Sequence, residues 1–116
     1  MKLAIVGSVS LAGDPRAAAL IEKLLDQYTP SCVISGGAIG IDTMAVDAAK
    51  RRGIATSVHL PTRQAWPAFK VRNLRIAEEC DQLVRIAAKN AKTYGSGWTR
   101  DRAKEMGKPT EEYIIS

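Results

Sequence analysis

Apolar runs too short for helices alternate along this chain with stretches of helical periodicity, and no other feature constrains the fold as much. The runs at Leu3–Val6, Cys32–Ile34, Ile54–Leu60, Gln82–Ala88 and Glu112–Ile115 read as strands. Between the first two, Ala18, Leu20, Ile21, Leu24 and Leu25 recur at helical spacing, up to about Tyr28. Asp14-Pro15 supplies an N-cap and a proline at the first helical position, and Thr29-Pro30 stops that helix. A second helix is predicted over about Asp42–Arg52, with Ile41, Met44, Ala45, Ala48 and Ala49 on one face and Gly53 just past its end. Two more are predicted over about Val71–Glu79 and Thr99–Met106, the last ended by Gly107 with Pro109 beyond. Pro61–Lys70 lacks periodicity, and Asn90–Trp98 reads as loop. Strands and helices in strict alternation predict a three-layer α/β domain over residues 1–116. Its five-stranded parallel sheet would have the order 3-2-1-4-5, with helices on both faces.

Three strand ends carry glycine-bearing turns. These are Gly7-Ser8, the segment Ser35-Gly36-Gly37-Ala38-Ile39-Gly40-Ile41-Asp42, and Gly95-Ser96-Gly97-Trp98-Thr99. Glycine lets a backbone approach a ligand closely, and a helix N-terminus offers unpaired N–H groups to an anion. In a parallel sheet of this order all three turns lie along the C-terminal edge, around the switch point between the first and fourth strands. The pattern therefore predicts a phosphate or nucleotide receptor made from Gly7, Ser8, Ser35, Gly36, Gly37, Gly40, Gly95, Ser96, Gly97 and Thr99. Asp42 either caps the second helix or hydrogen-bonds a ribose or base. Arg72 and Asn73, placed at the opening of the third helix, would clamp a phosphate and read a base or ribose edge. No Gly-Lys-Ser/Thr follows the glycines, which excludes a Walker A loop.

Hydrophobic residues make up 46% of the chain, but aromatic ones only 5%. The core must therefore be aliphatic, which excludes a disordered chain and suits thin helices packed on a sheet. The net charge of +5 suits solubility or an anionic partner. Lys50, Arg51 and Arg52 end a helix, where the dipole favours cations, whereas Arg63, Lys70, Arg72 and Arg75 lie in and after an irregular loop. Cys32 and Cys80 lack CxxC spacing and read as buried free thiols, as expected in a reducing cytoplasm. The N-terminus lacks a signal-peptide apolar region, no run is long enough to span a membrane, and neither a metal site nor a cofactor is expected. His59 has no matched nucleophile and is assigned a supporting role. Trp66 and Phe69 read either as a base-stacking platform or as loop anchors.

Taken in order, three motifs resemble the SLOG superfamily, named for the DNA-processing protein A (Smf) and Lonely Guy families. Val33–Asp42 is similar to the strand and Gly-Ala/Gly-Arg-Gly-Ile-Asp turn of these families. Arg72-Asn73 with Ile76 and Leu83-Val84 is similar to their Arg-Asn helix. Gly95–Thr99 with Ala103 and Gly107-Lys108-Pro109 resembles their Gly-Ser-x-x-Thr segment. The resemblance covers nearly the whole chain and implies a Rossmann-like domain that holds a nucleotide or a nucleotide-derived molecule, in a homodimer. It is greatest to the short stand-alone members found in bacteria and phages. Two other activities follow from the same resemblance. Lonely Guy enzymes cleave the N-glycosidic bond of nucleoside monophosphates, which here would use Asp42, Arg72 and Asp101 as catalytic groups. Their catalytic Glu stands three residues after the Thr, where this chain has Arg102. The DNA-processing proteins bind single-stranded DNA and a recombinase, and the turn Gly95–Thr99 is closer to theirs.

Overall fold

The computed structural model describes residues 1–91 and 95–116. Five strands, β1 (Lys2–Gly7), β2 (Cys32–Ser35), β3 (Ala55–Val58), β4 (Gln82–Ala88) and β5 (Thr110–Ile115), alternate with four helices. The helices are α1 (Pro15–Tyr28), α2 (Ile41–Arg51), α3 (Trp66–Glu79) and α4 (Ser96–Glu105). All pairings are parallel and the order is β3-β2-β1-β4-β5, as expected. Register runs Leu3 opposite Val33 on one side of β1, and Ile5 opposite Val84 on the other.

The period-2 alternation of β1 and β4 divides the core between two faces. Leu3, Ile5, Val84 and Ile86 point to α1 and α2, where they meet Ile21, Leu24, Leu25, Ile41, Ala45 and Ala49. Ala4, Val6 and Leu83 point the other way, to Ile76 and Ala77 of α3 and Ala103 of α4. Arg85, which interrupts the apolar run of β4, is 2% exposed. Its guanidinium donates to Ser96 Oγ at 2.9 Å and pairs with the Glu112 carboxylate. Arg100 also pairs with Glu112, so a charge network ties β4, β5 and α4 together.

Local chemistry explains most boundaries. Asp14 accepts N–H bonds from Arg16 and Ala17 with Pro15 behind it, and Thr29 ends α1 in the left-handed region at φ 42°. Three expectations need correction. First, α3 begins at Trp66 rather than Val71, because Pro67 sits in its first turn, where a missing N–H costs nothing. Arg72 and Asn73 are consequently in mid-helix and do not open it. Second, α4 begins at Ser96 rather than Thr99, so Ser96, Gly97 and Trp98 are helical; of the predicted loop Asn90–Trp98, residues 92–94 lie outside the described residues. Third, α2 begins at Ile41 with Gly40 as its N-cap, so Asp42 is an inner residue of the first turn and does not cap. A single 3₁₀ turn at Val9–Leu11, which periodicity gave no sign of, follows β1. Among the described residues no helix is long and apolar enough to cross a membrane.

Candidate functional site

Chain reversal at the switch point leaves a small chamber at the C-terminal edge of the sheet. Gly7 at the end of β1, Ala38 and Asp42 from the β2–α2 turn and α2, Arg72 and Asn73 from α3, and Gly95, Ser96 and Thr99 from α4 line it. Its volume of about 70 Å³ is that of roughly two waters in the liquid. Beside it lies an open cleft of about 340 Å³, lined mainly by Val9, Leu60, Pro61, Gln64, Phe69 and Arg72. Arg72, Ala38 and the Gly36 turn separate the two, and Arg72 and Ala38 line both.

Arg72 is placed by three contacts. Its Nη1 donates to Gly36 O at 2.6 Å, its Nε donates to Asn73 Oδ1 at 2.5 Å, and its guanidinium lies 5.4 Å from the centre of the Phe69 ring. Gly36 makes room for it. A Cβ there would stand 2.7 Å from Arg72 Nη1 and 2.8 Å from Asp42 Oδ2. Gly40 is required for a different reason. Its φ is +99°, and a Cβ would meet Ser8 O at 2.6 Å and Val9 Cα at 2.7 Å, so only glycine lets this turn cross the 3₁₀ segment.

Asp42 is 7% exposed. Burial pushes its carboxyl up, and Arg72 with the backbone of Ala38, Gly36 and Gly7 pulls it only part of the way back, leaving it at about 6. Burial likewise lowers the Arg72 guanidinium, with Asp42 opposing. On the far wall, Thr99 is 1% exposed and its hydroxyl donates to Gly95 O at 2.9 Å. Asn73 Nδ2 donates to the same carbonyl at 3.5 Å, which joins α3 to the start of α4.

The turns expected to converge do so, but not every residue in them reaches the chamber. Ser8 spends its hydroxyl accepting from the Ala88 N–H at 3.0 Å, closing the end of β1 onto β4. Ser35 is fully buried at the end of β2, its hydroxyl without a hydrogen-bond partner among the described residues. Gly37 lines the open cleft, Gly40 shapes the turn, and Gly97 is buried within α4. Asp101 is exposed, paired with Arg100 at 3.0 Å, and does not line the chamber. His59 Nε2 lies 2.7 Å from Glu79 Oε1, to which Ser57 also donates. Burial pushes the Glu79 carboxyl up, yet those two bonds outweigh it and the net shift is downward. The pair fastens β3 to α3, away from the chamber.

Trp66 does not line the chamber. It meets Trp98 edge-on at 5.9 Å, with Lys70 5.8 Å from the Trp66 ring and Arg102 4.9 Å from the Trp98 ring. Sequence reasoning did not find the apolar wall of Val9, Leu60 and Pro61, which comes from two separate segments, one after β1 and one after β3, nor the role of Arg85. The signal for Arg85 was available, as the one charge inside an otherwise apolar strand.

A doubly wound parallel sheet of this order defines a Rossmann-like domain. The family described as DNA recombination-mediator protein A matches residues 1–67, more than half of the chain, and the chain belongs to that family. The matched part contains the Gly36–Asp42 turn but ends before Arg72 and Thr99. The X-ray structure of DNA processing protein A from Streptococcus pneumoniae is similar, with a TM-score of 0.80 at 26% identity over 99% of this chain. This chain covers 50% of that protein, so it spans half of its structural relative. No curated protein matches the chain.

Proposed function

We propose that this chain binds a nucleotide or nucleotide-derived ligand, with phosphate in the polar chamber and the nucleoside in the adjoining cleft. The observation that carries this reading is that Arg72, Asn73, Ser96 and Thr99, from two different helices, surround a chamber of phosphoryl size. Arg72 still has N–H groups beyond those given to Gly36 and Asn73, and the first turn of α4 supplies backbone N–H groups. The cleft offers Leu60, Pro61 and Phe69 to a flat apolar ring. The test is calorimetry with inorganic phosphate, deoxynucleoside monophosphates and short oligodeoxynucleotides. Binding that weakens at least tenfold in Arg72→Gln is expected, and no binding of any probe at millimolar concentration would refute the reading.

Family membership and one surface support a second reading, in which the nucleotide belongs to a single strand of DNA. The Trp66–Trp98 pair, with Lys70 and Arg102 beside it, bridges α3 and α4, two helices that also line the chamber. Partly exposed indoles flanked by cations suit base stacking and phosphate neutralisation. An affinity for oligodeoxythymidylate that falls steeply with salt, and falls again in Trp66→Ala, is expected. Salt-insensitive binding would exclude this reading. An N-glycosidic hydrolase would have to use Asp42, the one carboxylate lining the chamber among the described residues.

A further inference from the structure

We propose that the chamber selects a phosphate bearing one negative charge, a phosphodiester, over the dianion of a terminal phosphate. The inference rests on the phosphate-binding reading above and adds the chemical class of the ligand. It follows from the charge balance of the walls. Among the described residues lining the chamber, Arg72 is the one cation and Asp42 the one carboxylate. The groups facing Asp42 are backbone at Gly7 on β1, backbone at Gly36 and Ala38 in the β2–α2 turn, and Arg72 on α3. Asn73 on α3, Ser96 and Thr99 on α4, Gly95 before it, and the apolar Val6 and Ile76 complete the walls and are neutral.

A monoanion entering this space meets one cation and neutral donors, with Asp42 already balanced in part by Arg72. A dianion brings a second negative charge into a chamber of about 70 Å³ that already contains a buried carboxylate. Like charges in a desolvated space are resolved by taking up a proton. Asp42 is poised to accept one, because burial holds its carboxyl at about 6. Monoester binding should therefore be coupled to more proton uptake than diester binding.

The experiment compares three probes: deoxyadenosine 5′-monophosphate, its 3′,5′-cyclic form, and the dinucleotide d(ApA). Affinities are measured by calorimetry from pH 6 to pH 8, in two buffers of different ionisation heat. At pH 8 the two diesters should bind at least tenfold more tightly than the monoester. The gap should close toward pH 6, with proton uptake per monoester bound greatest at pH 8 and falling as pH approaches 6. In Asp42→Asn the monoester should lose its pH dependence above pH 7 and bind at least as tightly as the diesters. The relative affinity of the cyclic and linear diesters then tells a free nucleotide from a strand linkage. A monoester that binds wild type at pH 8 as tightly as the diesters would overturn the inference, and so would an unchanged pH dependence in Asp42→Asn. Both results leave nucleotide binding intact. Failure of all three probes to bind at millimolar concentration would instead overturn the binding reading itself, and this inference with it.

Discussion

Replacing Asp42 by Asn should stabilise the fold at neutral pH while leaving it little changed in acid. A carboxyl moved from 3.8 to about 6 on folding is one whose ionised form the native state disfavours. At roughly 1.36 kcal/mol per tenfold change in proton affinity, that shift corresponds to about 3 kcal/mol. The sign follows from proton counting. Below about pH 4 both states hold the proton and Asp42 contributes no difference. Between pH 4 and 6 the native state keeps a proton that the unfolded chain has released, so stability falls as pH rises. Above pH 6 the loss is complete. The attraction of Arg72 is already contained in the figure, since without it the carboxyl would lie higher still. The assay is urea unfolding of wild type and Asp42→Asn at pH values from 3.5 to 7.5. The quantity to read is the difference between the two free energies, because other titrating groups and the pH-independent cost of the amide cancel from its slope. That difference should move by roughly 3 kcal/mol in favour of the variant as pH rises, most of it between pH 4 and 6.5. A difference flat to within about 0.5 kcal/mol, or one that moves the other way, would show that Asp42 is ionised at no cost. The charge argument built on it would then be wrong.

Three further substitutions test how the site is assembled. Gly40→Ala should destabilise by roughly 2–4 kcal/mol in chemical unfolding, since it adds a strained φ to a collision with the Ser8 and Val9 backbone. Gly36→Ala meets only the movable ends of Arg72 and Asp42, so it should cost about 1 kcal/mol or less while reducing phosphate affinity at least tenfold in calorimetry. Arg85→Ala empties the space of a buried side chain but leaves Glu112 paired with Arg100, and should cost roughly 1–3 kcal/mol, measured as a lowered urea midpoint.

Much of the fold could be read from local pattern because its determinants are local. Alternating apolar runs and 3.6-residue stripes named nine elements in order, and the crossover rule left the strand order 3-2-1-4-5. Boundaries went astray where one residue type serves two purposes. Pro67 reads as a loop breaker in the sequence but is a first-turn residue in α3, and Ser96-Gly97 reads as a turn but begins α4. The same ambiguity affected the site. A serine next to a glycine can hold a ligand or hold the fold, and Ser8 does the second, through a bond to an amide eighty residues away in sequence.

Periodicity, glycines and proline positions by themselves determined the architecture and the edge of the sheet at which the three turns meet. Each depends on residues within one or two turns of one another, or on topology rules that hold for any parallel sheet. Tertiary structure alone decided that Asp42 is buried against Arg72 and that Asp101 is left outside. It also decided that the polar space is small, about 70 Å³, and that a separate, more apolar cleft adjoins it. Those outcomes depend on distances between segments far apart in the chain and on which polar atoms lose their water, and no local pattern carries that information.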